Sequence, residues 1–156
     1  MAHEQSELLK DLTADEVERI LALGTRIAVP SGTSLFRLGD PAERLFLIER
    51  GQIRLTLPMR VRGREEDVFV EERTAGQTVG WSALIPPHKF TLAATAPLET
   101  EVTALPREEL RKYLAGNPTL GYKITLNLAI VIGHRLQLFQ AMWLREMQRT
   151  VEAHSA

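Results

Sequence analysis

Apolar and polar residues follow three successive rhythms along this chain. In the first, Leu8, Leu9 and Leu12 lead into Thr13-Ala-Asp-Glu16, and Val17, Ile20 and Leu21 then recur at helical spacing. Thr13 and Glu16 stand three apart, the spacing of a capping box. The threonine hydroxyl accepts from a free amide of the first turn, and the glutamate reaches back to the threonine amide. Gly24 is expected to stop this short amphipathic helix as a left-handed residue.

From Arg26 to Leu105 the rhythm shortens. Short runs rich in Val, Ile, Thr and Phe are broken by Pro30-Ser-Gly32, Leu38-Gly-Asp-Pro41, Glu49-Arg-Gly51, Arg62-Gly-Arg64, Thr74-Ala-Gly76 and Ile85-Pro-Pro87, all turn chemistry. Ile53, Leu55 and Leu57 alternate with Gln52, Arg54 and Thr56, as a half-buried strand requires. About eight strands at this spacing predict a double-stranded β-helix, or jelly-roll barrel.

The third rhythm is helical again. Pro106 is placed at the first position of a helix running to about Leu114, followed by Gly116, and Asn117-Pro118 opens a second one with Asn117 as N-cap and no later proline to stop it. Run to about Val151, that helix is about 50 Å long at ~1.5 Å per residue. It carries two apolar stripes. Ile132, Leu136, Phe139 and Trp143 fit an a/d register with Ala129, while Leu128, Val131, Leu138 and Met142 lie alongside. One stripe packs on the barrel; the other needs a partner, most simply the same helix of a second copy. The expected organisation is a helical lead-in over residues 1–25, a barrel over 26–105 and C-terminal helices over 106–156, the dimer helix starting at about 118.

Composition narrows the function classes. In 156 residues, 19 Lys and Arg against 20 Asp and Glu leave a net charge of −1, so binding to nucleic acid through overall positive charge is excluded. Without cysteine there is no disulfide, thiolate nucleophile or cysteine-held zinc. The polar N-terminus has no signal-peptide pattern, and the longest apolar run, Leu128 to Gly133, is too short to span a bilayer. The expectation is a cytoplasmic protein without a membrane partner.

The ordered series of elements and glycines resembles the cyclic-nucleotide-binding domain of catabolite-activator (Crp/Fnr-type) regulators. It is carried by Gly32, Gly39-Asp40 and Gly51 in the first half of the barrel, by Ala75-Gly76-Gln-Thr-Val-Gly80, and by Thr103-Ala-Leu-Pro-Arg-Glu-Glu-Leu110 at the barrel exit. The resemblance implies a phosphate-binding cassette in Gly80-Trp81-Ser82-Ala83-Leu84-Ile-Pro-Pro-His88-Lys89-Phe90-Thr91 and a ligand such as cAMP or cGMP, or another small anion. It places backbone amides at Gly80 to Ala83, a phosphate cation at Lys89 with Phe90 and Thr91 beside it, and a capping surface from Phe139 and Gln140. Two departures stand out. Trp81 occupies the position of the family's ribose-binding glutamate, and indole is only a donor. Lys89 replaces an arginine and offers a point charge instead of a planar fork.

Three readings remain open. The pocket takes a cyclic nucleotide with Trp81 stacked on a ring; it takes a different anionic or aromatic molecule; or Trp81 fills it and the domain is a ligand-free dimeric module. In each the chain is non-enzymatic and acts through a homodimer on a protein partner. The four histidines are scattered without a metal-ligand pair, and Gly80-Trp-Ser82 is not a nucleophile elbow. Arg60, Arg62 and Arg64 are followed by Glu65, Glu66 and Asp67, which cancel their field as a solvated hairpin. His134, Arg135, Arg145 and Arg149 read as the solvent face of the long helix. No helix-turn-helix follows that helix in this sequence, so direct DNA binding is not expected, unless the chain is a fragment of a longer regulator.

Overall fold

The computed structural model describes residues 6–155. The Thr13 capping box forms in full: Thr13 Oγ1 accepts from the Glu16 amide at 3.1 Å, and Glu16 Oε1 accepts from the Thr13 amide at 2.9 Å. It opens helix α1 (Ala14–Leu21), which buries Ile20. Gly24 serves otherwise than expected. Its φ is not left-handed; a Cβ there would stand 2.8 Å from the Ala104 carbonyl oxygen and from Leu105 Cδ2, so glycine is needed for close approach to the barrel.

Eight strands follow: β1 (Thr25–Val29), β2 (Ser34–Phe36), β3 (Arg44–Arg50), β4 (Gln52–Val61), β5 (Arg64–Thr74), β6 (Thr78–Val79), β7 (Ala93–Thr95) and β8 (Thr100–Pro106). They form two antiparallel four-stranded sheets, ordered β1-β8-β3-β6 and β2-β7-β4-β5. Phe46 and Val102 from the first sheet share one core with Phe36 and Leu55 from the second. The predicted alternation holds on β4 only as far as Leu55. There the pairing passes from Leu55–Glu71 to Thr56–Phe69, leaving Val70 as an extra residue on β5. The bulge buries Thr56, and the consecutive residues Val70 and Glu71 both gain cover. Across the hairpin tip Arg60 lies opposite Glu65 and all the charged side chains are exposed, as the solvated reading requires.

Pro106 closes β8 and caps helix α2 (Arg107–Gly116) from outside, one position earlier than expected. Helix α3 (Pro118–Ser155) runs for 38 residues. Asn117, the expected N-cap, stands directly before α3 and its carbonyl accepts from the Gly121 amide at 2.9 Å, while its side chain donates to the Tyr113 carbonyl of α2 at 2.8 Å. Leu120, Ile124, Leu128 and Val131 seat the first half of α3 on the core. Buried Asn127 donates to the carbonyls of Leu8 and Lys10, both at 2.8 Å, tying the helix to the N-terminal segment.

Candidate ligand site between the barrel and the long helix

Strand β6 ends at Val79 and is followed by Gly80, whose φ of +84° is left-handed and whose Cβ, if present, would lie 3.2–3.3 Å from the rings of Phe90 and Phe46. The chain then makes one 3-10 turn, Trp81–Ala83, closed by the Ala83 amide on the Gly80 carbonyl and the Leu84 amide on that of Trp81, both 3.0 Å. His88 Nδ1 sits 3.2 Å from the Ser82 carbonyl and braces the turn. Ser82 and Ala83 are buried and Trp81 is half-buried.

The cassette region is nearly filled with aromatic rings. Phe90 stacks on Phe36 with centroids 3.8 Å apart and planes 10° apart, and Phe36 stacks in turn on Phe46. Between Phe36, Leu55, Gly80, Ser82, Phe90 and Arg135 only about 20 Å³ remains, room for about one water molecule. Phe90 is therefore core. Lys89 is exposed, paired through its backbone with Pro41, and borders neither this cavity nor the larger space beside it. The stack on Phe36 turns Phe90 inward, and its neighbour Lys89 is left outward.

The larger space is a groove of about 430 Å³ between the barrel and α3. Leu57, Trp81 and Leu92 form one wall; Ile132, Leu136 and Phe139 form the other. Thr91 and Arg135 are its polar members, and both also border the small cavity. Trp81 and Phe139 are thus brought together as expected, whereas Gln140 is exposed and borders neither space.

Arg135, expected on the solvent face, is instead buried beside the groove. Its side chain is only 10% exposed, and its Nε donates to Glu71 Oε2 at 2.8 Å. Burial pushes the guanidinium pKa below its ordinary value, Glu71 raises it again, and Arg73 lowers it. Glu71 also accepts from Arg73 at 2.9 Å, and Arg73 bonds Glu7, which in turn accepts from the Thr78 amide at 2.8 Å. This quartet of two acids and two bases joins the N-terminal segment, β5 and α3. The sequence held one signal for it: Arg135 lies four after buried Val131 and three before Leu138, on the helix face that packs.

The expected dimer residues divide. Ile132 and Phe139 pack against the core cluster, while Leu136 and Trp143 are 58% and 62% exposed.

A family model for the cyclic nucleotide-binding domain matches residues 26–117, more than half of the chain. The chain belongs to the cyclic nucleotide-binding domain family. This family is a regulatory ligand-binding domain, and its jelly roll and terminal helix are those described above. The chain is 30% identical over 141 residues to Glutaminase 1 of Bradyrhizobium diazoefficiens, covering 86% of the chain and 21% of that protein. It is 27% identical over 132 residues to the Cyclic AMP receptor protein of Thermus thermophilus, covering 85% of the chain and 58% of the relative. The chain therefore spans from about a fifth to three fifths of these curated relatives. The crystal structure of the Thermus thermophilus Catabolite Activator Protein superposes with a TM-score of 0.74 at 26% identity, covering 92% of this chain and 63% of that one. Among the described residues, no helix is long and apolar enough to cross a membrane.

Proposed function

We infer that this cyclic nucleotide-binding domain is a non-enzymatic sensor. It takes a small ligand in the groove between barrel and α3, signals through a homodimer formed by α3, and acts on a protein partner. The observation that carries this reading is the double membership of α3. Leu136 borders the groove and is also exposed on the outer face of the helix, so filling the groove presses on a residue available to a second copy. The outer face continues at three- and four-residue steps through Tyr122, Leu126, Ala129, Gly133, Leu136, Gln140, Trp143 and Met147. This seam supports pairing with the same helix of another copy. The dimer register is thus Leu136 with Trp143 and their exposed neighbours, while Ile132 and Phe139 serve the barrel side.

The about 20 Å³ left at the cassette favours a second reading, a dimeric interaction module without a ligand. A thermal-shift screen of cyclic mono- and dinucleotides, small anions and apolar acids separates the two. A ligand at ~100 times its Kd adds about 2.7 kcal/mol, a rise on the order of 5–10 °C for a domain of this size. The sensor reading expects such a rise with at least one class. An unmoved transition across all classes leaves the interaction module.

A further inference from the structure

We propose that the groove between the barrel and α3 selects an amphipathic monocarboxylate, an apolar alkyl or aryl body ending in one carboxylate held by Arg135. This rests on the reading of the groove as the ligand seat and names the class that the seat takes.

The walls decide the body. Leu57, Leu92, Ile132 and Leu136 are aliphatic, and Trp81 with Phe139 adds two aromatic faces. At about 430 Å³ the space lies in the lower part of the range for small-molecule sites, roughly 300–1,000 Å³. A cyclic nucleotide would bring ribose hydroxyls and base edges against these walls with only Thr91 and the donor-only Trp81 indole as neutral hydrogen-bonding side chains, leaving polar groups desolvated and unpaired. A ligand whose polarity is confined to one end avoids that penalty.

Arg135 decides the end group. It is nine-tenths buried, yet among the described residues its only hydrogen-bond acceptor is Glu71, met through Nε. The two terminal nitrogens form the planar fork that a carboxylate accepts from in two parallel bonds. The fork needs no new ion pair to be broken, since Glu71 stays on Nε and Arg73 continues to hold Glu71 at 2.9 Å. A single cation at the junction of groove and cavity suits a single negative charge. The cassette lysine, which would have favoured a phosphate, is turned to solvent.

The test titrates the full chain with octanoate and 3-phenylpropanoate, with the matching alcohols 1-octanol and 3-phenylpropanol, and with cAMP. Calorimetry and thermal shift give the affinities. Each acid is expected to bind more tightly than its alcohol by on the order of 10- to 100-fold, the worth of a charge-assisted pair. Arg135→Met is expected to abolish that advantage and leave the alcohol unchanged. Since that change strands Glu71, the double variant Arg135→Met/Glu71→Gln provides the same comparison in a neutral network, and Arg135→Lys should retain part of the advantage. Acids and alcohols binding equally, both blocked by Leu92→Trp, would overturn the carboxylate and leave the groove as the seat. Tighter binding of cAMP than of either acid would also overturn it. Binding of no probe at all would overturn the class and the ligand seat together.

Discussion

Thr13 and Glu16 show how two side chains fix the start of helix α1. The Glu16 carboxylate accepts from the Thr13 amide and lies 3.1 Å from Lys123 on α3, so one capping residue also clips α1 to the long helix. The bond to the Thr13 backbone, with the Lys123 bond behind it, holds the Glu16 pKa below its ordinary 4.5. A carboxylate whose pKa falls on folding contributes stability that is present above its unfolded pKa and is lost as pH drops through the folded one. Urea midpoints measured from pH 7 down to pH 3 should therefore decline less steeply in Glu16→Gln than in the parent chain. Thr13→Ala, which leaves a first-turn amide without an acceptor, should cost about 1 kcal/mol at pH 7. At this scale the sequence was most legible, because a capping box is a contact between residues three apart. Arg135 was illegible for the opposite reason. Its partner Glu71 lies 64 residues away and faces the helix only after a strand bulge that no local pattern announces.

Helix α3 has two apolar faces with different duties, and only the folded barrel tells them apart. By spacing alone, Ile132, Leu136, Phe139 and Trp143 make a plausible seam. Once the barrel claims Ile132 and Phe139, the free seam shifts to Leu126, Leu136, Trp143 and Met147. Substitutions should separate the duties. Trp143→Glu with Met147→Glu should leave the urea unfolding free energy of the isolated protomer within about 0.5 kcal/mol of the parent, as exposed substitutions do. Sedimentation equilibrium at micromolar concentration should show the dimer converted to monomer. Leu128→Ala, which is 3% exposed and on the barrel side, should instead cost about 2–5 kcal/mol whatever the oligomeric state. A dimer that persists in the double glutamate variant would place the interface elsewhere. The barrel itself was legible through its glycines and alternation, since turns and a half-buried face are local properties. The cassette was not, because whether Phe90 or Lys89 faces inward depends on Phe36, far away in sequence and stacked against it.

Across the whole molecule, the groove and the outer helix face meet at one residue. Leu136 belongs to both, so under the proposed function occupancy of one site and pairing at the other would act on the same turn of α3. If octanoate favours a position of α3 that a second copy also favours, thermodynamic linkage requires the effect to be reciprocal: ligand tightens the dimer by the factor by which dimerisation tightens ligand binding. Coupling of this kind is typically about 5- to 150-fold. Sedimentation equilibrium with and without saturating octanoate should therefore shift the dimer dissociation constant, and calorimetric affinity for octanoate should change by the same factor between the parent dimer and the Trp143→Glu/Met147→Glu monomer. The buried quartet gives this coupling a further reach. Arg135, Glu71, Arg73 and Glu7 connect the groove to the N-terminal segment, which Asn127 already ties to α3 through the Leu8 and Lys10 carbonyls. Substituting Glu71 by Gln keeps one acceptor oxygen, turns the other into a donor and removes the charge between the two arginines. It should reduce the coupling factor while leaving the dimer itself intact, and equal factors in Glu71→Gln and the parent would confine the coupling to Leu136.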